Sequence, residues 1–170
     1  MIDKNSKINA KGEGKSLPLG IRQKNHLNIR RSDKNHWQGE QFRNVNDKFC
    51  TFEDELFGYR AALKIIAVTY RKRGILQLSG VISTWAPRSE NNTSMYFAYV
   101  LARLIERMGI QKVDDFFMPE PCMAFKDFYV SLIHYMAMVE IGAENEKFIN
   151  DKKISQAFDM LFPEDKLPLK

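Results

Sequence analysis

Residues 123–141 read MAFKDFYVSLIHYMAMVEI, and this stretch does most to decide the fold class of the chain. Its apolar side chains recur at steps of three and four, the spacing that gathers side chains on one face of a helix. Prolines precede the stretch and Gly142 follows it, as is typical of helix ends. A long amphipathic helix is therefore predicted, with an apolar face made of Phe125, Phe128, Tyr129, Leu132, Ile133, Met136 and Val139.

Shorter helices are predicted on both sides of this long one. The first starts at the capping-box-like segment Thr51-Phe-Glu-Asp54 and ends at Gly74. A short helix over Ser79–Thr84 follows, and then a helix that is capped by Asn92 or Thr93 and ends at Gly109. The final helix lies near Asp151 to Leu161. Strand signals are faint, and only short pieces near 29–31 and 42–49 could pair. The predicted class is mainly α, or α+β with a small β-hairpin at most.

Length and charge set the domain organisation. The chain has 170 residues, which is the size of one domain. Residues 1–48 contain 11 Lys+Arg against 5 Asp+Glu, whereas the rest of the chain is close to neutral. We expect residues 1–19 to be a basic, flexible leader and residues 20–165 to be a single helical domain. A basic arm can bind nucleic acid, but aromatic residues do not alternate with its cations as stacking platforms would, so nucleic acid is not the expected partner.

The chain lacks the sequence signals of several other protein classes. Cys50 and Cys122 do not have metal-ligand spacing, and neither do His26, His36 and His134, so no metal or other cofactor is predicted. No basic start with an apolar stretch marks a signal peptide, and no run of about 18 apolar residues would span a membrane. Synthesis in the cytoplasm without a signal peptide is therefore expected.

A carboxyl group continues the apolar face of the long helix. Steps of three and four from Tyr129 lead through Ile133 and Met136 to Glu140, just before Gly142. Burial disfavours the charged form of a carboxyl group, and so does the negative end of a helix dipole, so both effects predict a raised pKa for Glu140. A glutamate that keeps its proton near neutral pH is the acid that glycosidic bond cleavage needs. The alternative is a helix-end glutamate that simply faces water.

A second site signal is the run GIRQKNHLNIR at residues 20–30, which is followed by Trp37-Gln-Gly39. The run is too polar for a core element, and it combines asparagine amides with an indole ring. Amides suit hydroxyl groups, and an indole suits the flat face of a sugar. These residue types therefore favour a groove for a neutral glycan, with Asn25, Asn28 and Trp37 as candidate binding residues.

The same segments carry a resemblance to a known family. The succession of Gly-Ile-Arg-x-x-Asn-x-Leu-Asn-Ile-Arg, Trp-x-Gly, Gly58-Tyr-Arg-Ala61, Ile82-Ser-Thr-Trp-Ala-Pro87, Glu90-Asn-Asn-Thr93 and Glu140-x-Gly142 resembles phage virion-associated structural proteins with a lysozyme-like domain. The resemblance spans about residues 20–142. It implies a mainly α, lysozyme-like fold, peptidoglycan glycan strands as the substrate and other virion proteins as further partners. The implied place of action is the virion or the host cell envelope.

The order of the motifs differs from that in related enzymes. In related glucosaminidase and lytic transglycosylase domains, a helix ending in Glu-Ser-Gly precedes the Asn-rich stretch, whereas here Glu140 follows it. We therefore hypothesise a circular permutation. It would bring the end of the Glu140 helix beside the Asn25–Trp37 run in space.

The resemblance leads to a specific set of roles. Glu140 is the predicted general acid and then general base of a lytic transglycosylase or glucosaminidase, and Glu90 is the candidate second carboxylate. Without a clear second acid, the N-acetyl group of the substrate would take the place of a protein nucleophile. The predicted substrate-binding residues are Asn25, Asn28, Trp37, Asn91, Thr93 and Tyr96.

The sequence leaves several alternatives open. Asn91 and Thr93 are also explained by helix capping, Trp85 by a role as core anchor and His26 by a place in a loop. A non-catalytic virion protein that binds cell wall is the main functional alternative, because Gln-Lys-Asn-His at 23–26 replaces the family's Asn-Asn-Asn-Pro. A small helical domain that binds nucleic acid or another partner through the basic leader is the third.

Overall fold

A computed structural model of the chain describes residues 16–42, 48–89 and 91–164. Within these ranges the protein is mainly helical, which confirms the predicted class. The α-helices are α1 (Leu19–Arg22), α2 (Glu55–Leu63), α3 (Leu78–Trp85), α4 (Thr93–Met108), α5 (Lys126–Ile141) and α6 (Asp151–Leu161). Two short strands, β1 (Glu40–Gln41) and β2 (Thr51–Phe52), and 3₁₀ turns at Met123–Phe125 and Ala143–Phe148 are also present.

The long helix predicted from the sequence is α5, and it lies at the centre of the helical packing. It contacts α1, α2, α4 and α6. Leu132, Ile133 and Met136 on its inner face are completely buried. Burial of an aliphatic side chain of this size contributes roughly 1.5–3 kcal/mol, so this face contributes strongly to the stability of the fold. Phe125 and Val139, which were predicted on the same face, are exposed.

The helix ends follow the capping residues in the sequence, with one correction. Asn92 is the N-cap of α4, and Gly109 ends that helix in a left-handed conformation, as predicted. Thr51 does not begin a helix, because it pairs in β2. The N-cap of α2 is Asp54, whose carboxylate accepts a hydrogen bond from the backbone N–H of Leu56. The capping-box prediction therefore placed the helix start too early.

The sheet is small, as predicted, but its strands lie outside the predicted segments. β1 and β2 pair in antiparallel fashion, with Glu40 opposite Phe52 and Gln41 opposite Thr51. A separate antiparallel bridge joins Arg30 to Phe49 and is the point at which the predicted 29–31 and 42–49 pieces meet. This bridge attaches the polar run to the segment that leads into β2.

Helix α2 continues into a wider π-helical turn over Lys64–Tyr70, which the sequence pattern did not predict. The hydroxyl of Thr69 donates to the backbone oxygen of Lys64, five residues earlier, at 3.3 Å. The helical segment ends at Gly74, whose φ of 74° is left-handed, as predicted. π-Helical turns occur often at functional sites, and this one contributes Ile65 and Tyr70 to the cleft described below.

Some sequence predictions fall on residues that the structure does not describe. Residues 1–15 of the basic leader and Glu90 are outside the described ranges, so the domain limits at 19 and 165 stay predictions. In the described part of the chain, no helix is both long and apolar enough to cross a membrane.

Candidate functional site

A cleft of about 590 Å³ is lined by two groups of residues and by Glu140 at the end of α5. The first wall comes from the polar run after α1 and from residues 48–49, and the second wall comes from the π-helical turn, the end of α3 and the loop that leads to α4. The first wall consists of Leu27, Asn28, Ile29, Arg30, Asn35, Trp37, Lys48 and Phe49, and the second of Ile65, Tyr70, Thr84, Trp85, Ala86, Pro87 and Asn91.

Glu140 is held by side chains from three different parts of the chain. The indole Nε1 of Trp85 and the hydroxyl of Tyr96 donate to its Oε1 atom at 3.0 and 3.1 Å. The side-chain amide of Asn28 donates to its Oε2 atom at 2.9 Å, and to its backbone oxygen at 3.3 Å. The Glu140 carboxyl group is therefore fixed at the cleft between the two walls and does not simply face water.

The pKa of Glu140 is raised above the ordinary value of a glutamate, mainly because burial disfavours the charged form. The hydrogen bonds from Asn28, Trp85 and Tyr96 act in the opposite direction, since a donor stabilises the carboxylate. Oε1 accepts two side-chain hydrogen bonds and Oε2 accepts one, so Oε2 has more room for a proton. Glu140 can thus hold a proton, and its ionised form has donors ready for the negative charge.

Asn28 contacts the acid and also lines the cleft, so its predicted role in sugar binding stays a prediction. Its φ of 49° is left-handed, a conformation that asparagine tolerates better than most residues. A Cβ atom on Gly20 would lie 2.9 Å from the Oδ1 atom of Asn28, so the glycine leaves the space that this side chain needs. The Asn28–Glu140 contact confirms that the end of the Glu140 helix lies beside the polar run.

Asn25 lies in the core rather than on the cleft. Its side chain is fully buried, and its amide donates to the backbone oxygens of Ile29 and Cys50 at 3.0 and 2.9 Å. Its Oδ1 atom accepts a hydrogen bond from the backbone N–H of Ile29 at 2.9 Å. No part of the amide is left to meet a ligand, so the sugar-binding prediction for Asn25 is corrected to a structural role.

Trp85, at the end of α3, and Tyr96, on α4, both donate to the acid. Trp85, interpreted as a core anchor, is half-buried and packs against the hydrophobic core, and its indole N–H also donates to Glu140. The sequence signal for the contact with Glu140 was the indole N–H of Trp85, because a buried indole N–H needs a polar partner. Tyr96 is 5% exposed, and its hydroxyl also lies 3.3 Å from the backbone oxygen of Met136. It therefore contacts the acid and is too buried for the predicted contact with sugar.

The predicted residues near the start of α4 have different environments. Asn91 is exposed and lines the cleft. Thr93 is buried, and its hydroxyl donates to the backbone oxygen of Ala86 at 2.6 Å. This bond closes the loop between α3 and α4, so Thr93 has a structural role in place of the predicted contact with substrate. Glu90 lies outside the described residues.

Trp37 lies on the cleft, where it is half-buried and packs against the hydrophobic core. Its backbone N–H donates to the carboxylate of Glu40 at 3.1 Å, which fixes the loop that carries it. Pro87 adds a further ring surface on the second wall, and Asn91 adds an amide. A ligand with flat apolar faces and hydroxyl groups would match this lining.

His26 and His134 do not line the cleft. His26 lies in a loop, as interpreted, but it is buried rather than at the surface, and its Nδ1 atom is 2.7 Å from the hydroxyl of Tyr59. Burial lowers the pKa of His26. His134 is half-buried, and its ring nitrogens lie 2.7 Å from Asp151 and 3.3 Å from Glu146. Among the described residues, no group of three or more His, Cys, Asp and Glu side chains is arranged to hold a metal ion.

Comparison with known proteins relates the chain to a bacteriophage protein. No protein-family model matches the chain. Over 101 residues it is 32% identical to Protein P5 of Pseudoalteromonas phage PM2, a match that covers 56% of this chain and 61% of that protein. The chain thus spans less than two thirds of the length of this relative. The name of this relative states no activity.

Proposed function

We propose that this phage-related protein is a glycosidase that cleaves the β-1,4 glycan strands of peptidoglycan in the manner of a lytic transglycosylase or glucosaminidase. The observation that carries the proposal is the Glu140 carboxyl group, which lines the cleft with a raised pKa and is held by Asn28, Trp85 and Tyr96. A lysozyme-like fold with permuted motifs belongs to the same proposal. The contact between Asn28 and Glu140 supports it, because it joins the polar run to the end of α5.

In the first step, protonated Glu140 gives its proton to the glycosidic oxygen, and the bond from that oxygen to the anomeric carbon breaks. The carbonyl oxygen of the substrate's own N-acetyl group attacks the anomeric carbon and forms a cyclic oxazolinium intermediate. Asn28, Trp85 and Tyr96 already donate to the carboxyl group of Glu140. They therefore stabilise the negative charge that it gains, without any rearrangement of the site.

In the second step, the Glu140 carboxylate takes the proton of the C6 hydroxyl group of the same sugar. The C6 oxygen attacks the anomeric carbon, the oxazolinium ring opens, and a 1,6-anhydro product leaves with Glu140 protonated again. A water molecule in place of the C6 hydroxyl gives a reducing end by the same proton transfer. One carboxylate is sufficient for both routes, and among the described residues that line the cleft Glu140 is the one acid.

The glycan strand would lie along the cleft between the two walls. Trp37 offers a ring for a sugar face and Asn91 an amide for hydroxyl groups, whereas Asn25 and Thr93 are excluded by their burial. The cleft volume of about 590 Å³ is within the usual range of ligand sites. Peptidoglycan as a partner, other virion proteins as partners and a place in the virion or the host envelope are part of this proposal, supported by the similarity to a phage protein.

The decisive variant is Glu140→Gln, tested with purified peptidoglycan sacculi in a turbidity assay. Loss of a general acid and base reduces a rate by about 10²–10⁴-fold, so we expect clearing by this variant to fall at least about a hundredfold. Glu144→Gln is the matched control, because Glu144 is an exposed acid close to the end of the same helix. Equal clearing by wild type and Glu140→Gln would contradict the proposal. Binding of sacculi without clearing by the wild type would favour the non-catalytic wall-binding function.

A further inference from the structure

The charged side chains that line the cleft are unevenly distributed. Among the described lining residues, Arg30 and Lys48 are cations and Glu140 is the acid. Both cations belong to the first wall, whereas the described residues of the second wall are uncharged. When Glu140 carries its proton, the described lining therefore holds positive charge on one side and no negative charge.

Backbone pairing keeps the two cations together. Arg30 is paired with Phe49 in an antiparallel bridge, and the backbone N–H of Arg31 donates to the backbone oxygen of Lys48 at 3.0 Å. The two cationic residues therefore come from adjacent, hydrogen-bonded segments, although they are far apart in the sequence. Both are exposed to solvent at the cleft. We call Arg30 and Lys48 the cationic flank.

We propose that the cationic flank binds a carboxylate carried by the glycan, so that the cleft selects peptide-bearing peptidoglycan over a neutral β-1,4 glycan such as chitin. This inference rests on the proposed function, since it assumes a glycan in the cleft. The two glycans share N-acetylated sugar rings, but the muramic acid residues of peptidoglycan carry peptides whose free carboxylates project from the strand. An arginine can donate two parallel hydrogen bonds to such a carboxylate, and a lysine adds a compact positive charge.

The distribution of charge favours a carboxylated glycan over a nucleic acid. A polynucleotide carries a phosphate at every residue, and a strand along the cleft would bring some of them close to Glu140. The described residues of the second wall provide no cation for those phosphates. A branched glycan brings no charged group close to Glu140, because its backbone is uncharged. It also needs no cation on the second wall, because its peptide carboxylates lie to one side.

The experiment compares binding of the full chain to two preparations of the same sacculi by sedimentation in the cold. One preparation is untreated, and in the other the carboxylates are converted to neutral amides with a carbodiimide and ethanolamine, which leaves any wall phosphates charged. Exposed ion pairs are individually weak, so we expect amidation to weaken wild-type binding by about three- to tenfold. The double variant Arg30→Gln/Lys48→Gln should bind untreated sacculi as weakly as the wild type binds amidated ones, and amidation should not weaken it further.

Lys34→Gln is the matched control, because Lys34 is an exposed cation of the same loop that does not line the cleft. It should bind like the wild type, and all variants retain the same N-terminal charges. The inference is overturned if the double variant still discriminates between the two preparations, or if duplex DNA displaces sacculi from the wild type but not from the double variant.

Release of soluble fragments after warming the same samples separates the two proposals. Cleavage that is indifferent to amidation and to the double substitution overturns the cationic flank and leaves the glycosidase intact. Charge-dependent binding without release of fragments overturns the glycosidase and supports the flank.

Discussion

Asn25 and Asn28 belong to the same polar run, but the fold places them in opposite environments. Asn25 is fully buried, and its side-chain amide is hydrogen-bonded to the backbone of Ile29 and Cys50. Asn28 has a left-handed backbone, lines the cleft and donates to Glu140. The first half of the run therefore builds the loop, and the second half holds the acid. Residue type alone did not separate the two roles, because an amide satisfies backbone groups as readily as it binds a carboxyl group.

The largest expected effect on stability comes from Asn25→Ala. It leaves the N–H of Ile29 and the oxygen of Cys50 without their present partner, whereas the oxygen of Ile29 keeps its hydrogen bond from the N–H of Cys50. Each buried unsatisfied group costs about 1–3 kcal/mol. We expect a loss of about 3 kcal/mol, which lowers the melting temperature by roughly 6–12 °C for a chain of this size. Thermal unfolding measures it, with exposed Asn35→Ala as control. If Asn25→Ala kept its stability but bound glycan more weakly, Asn25 would have a binding role, and the assigned structural role would be wrong.

The next effect is on catalysis and comes from Asn28→Gly. Glycine keeps the left-handed backbone and removes the donor to Glu140, so we expect glycan cleavage to fall about ten- to a hundredfold while the free energy of unfolding changes by less than about 1 kcal/mol. Lys24→Gly is the control, because Lys24 has a similar φ of 52° and lies outside the cleft lining. Full activity of Asn28→Gly would show that the contact with the acid is incidental.

The smallest effect is a shift in pH dependence caused by Tyr96→Phe. Activity needs protonated Glu140, so it is present below the pKa of Glu140 and is lost as the pH rises through that pKa. The tyrosine hydroxyl lowers this pKa by favouring the carboxylate, so its removal should move the loss of activity to higher pH, with less than about a tenfold change in the maximal rate.

The pH profile of sacculus clearing measures the shift. Tyr99→Phe is the control, because the Tyr99 hydroxyl contacts the sulfur of Met138 at 3.5 Å rather than Glu140. A shift to lower pH, or a loss of rate with no shift, would contradict the role of Tyr96 as a hydrogen-bond donor to the acid.

The helices were predictable because their apolar faces and caps are local signals. The spacing around Ile133 and Met136 predicted α5, and extending that spacing by one step located Glu140. The carboxyl group of Glu140 lies at the edge of the core, where the apolar face of the helix predicts it. Burial raises its pKa, which is the predicted direction. Local periodicity was therefore sufficient to predict the helix and the position of Glu140.

The environment of the acid could not be predicted in the same way, because it is built from long-range contacts. Trp85 and Asn28 are far from Glu140 in the sequence, and each satisfies its own polar group by reaching it. The burial of His26 depends on its bond to Tyr59, another distant residue. The π-helical turn at Lys64–Tyr70 depends on backbone hydrogen bonds for which the sequence has no clear signal. Packing between elements, rather than residue type, decided these positions.

The most direct measurement is mass spectrometry of the soluble material released from purified sacculi by wild type and by Glu140→Gln. We expect the wild type to release muropeptides with 1,6-anhydro ends, or with reducing ends if water takes the place of the C6 hydroxyl, and Glu140→Gln to release almost none. Wild-type protein that binds the sacculi but releases no muropeptides, or a Glu140→Gln variant that releases as many as the wild type, would contradict the role of Glu140 as the acid of a glycosidase.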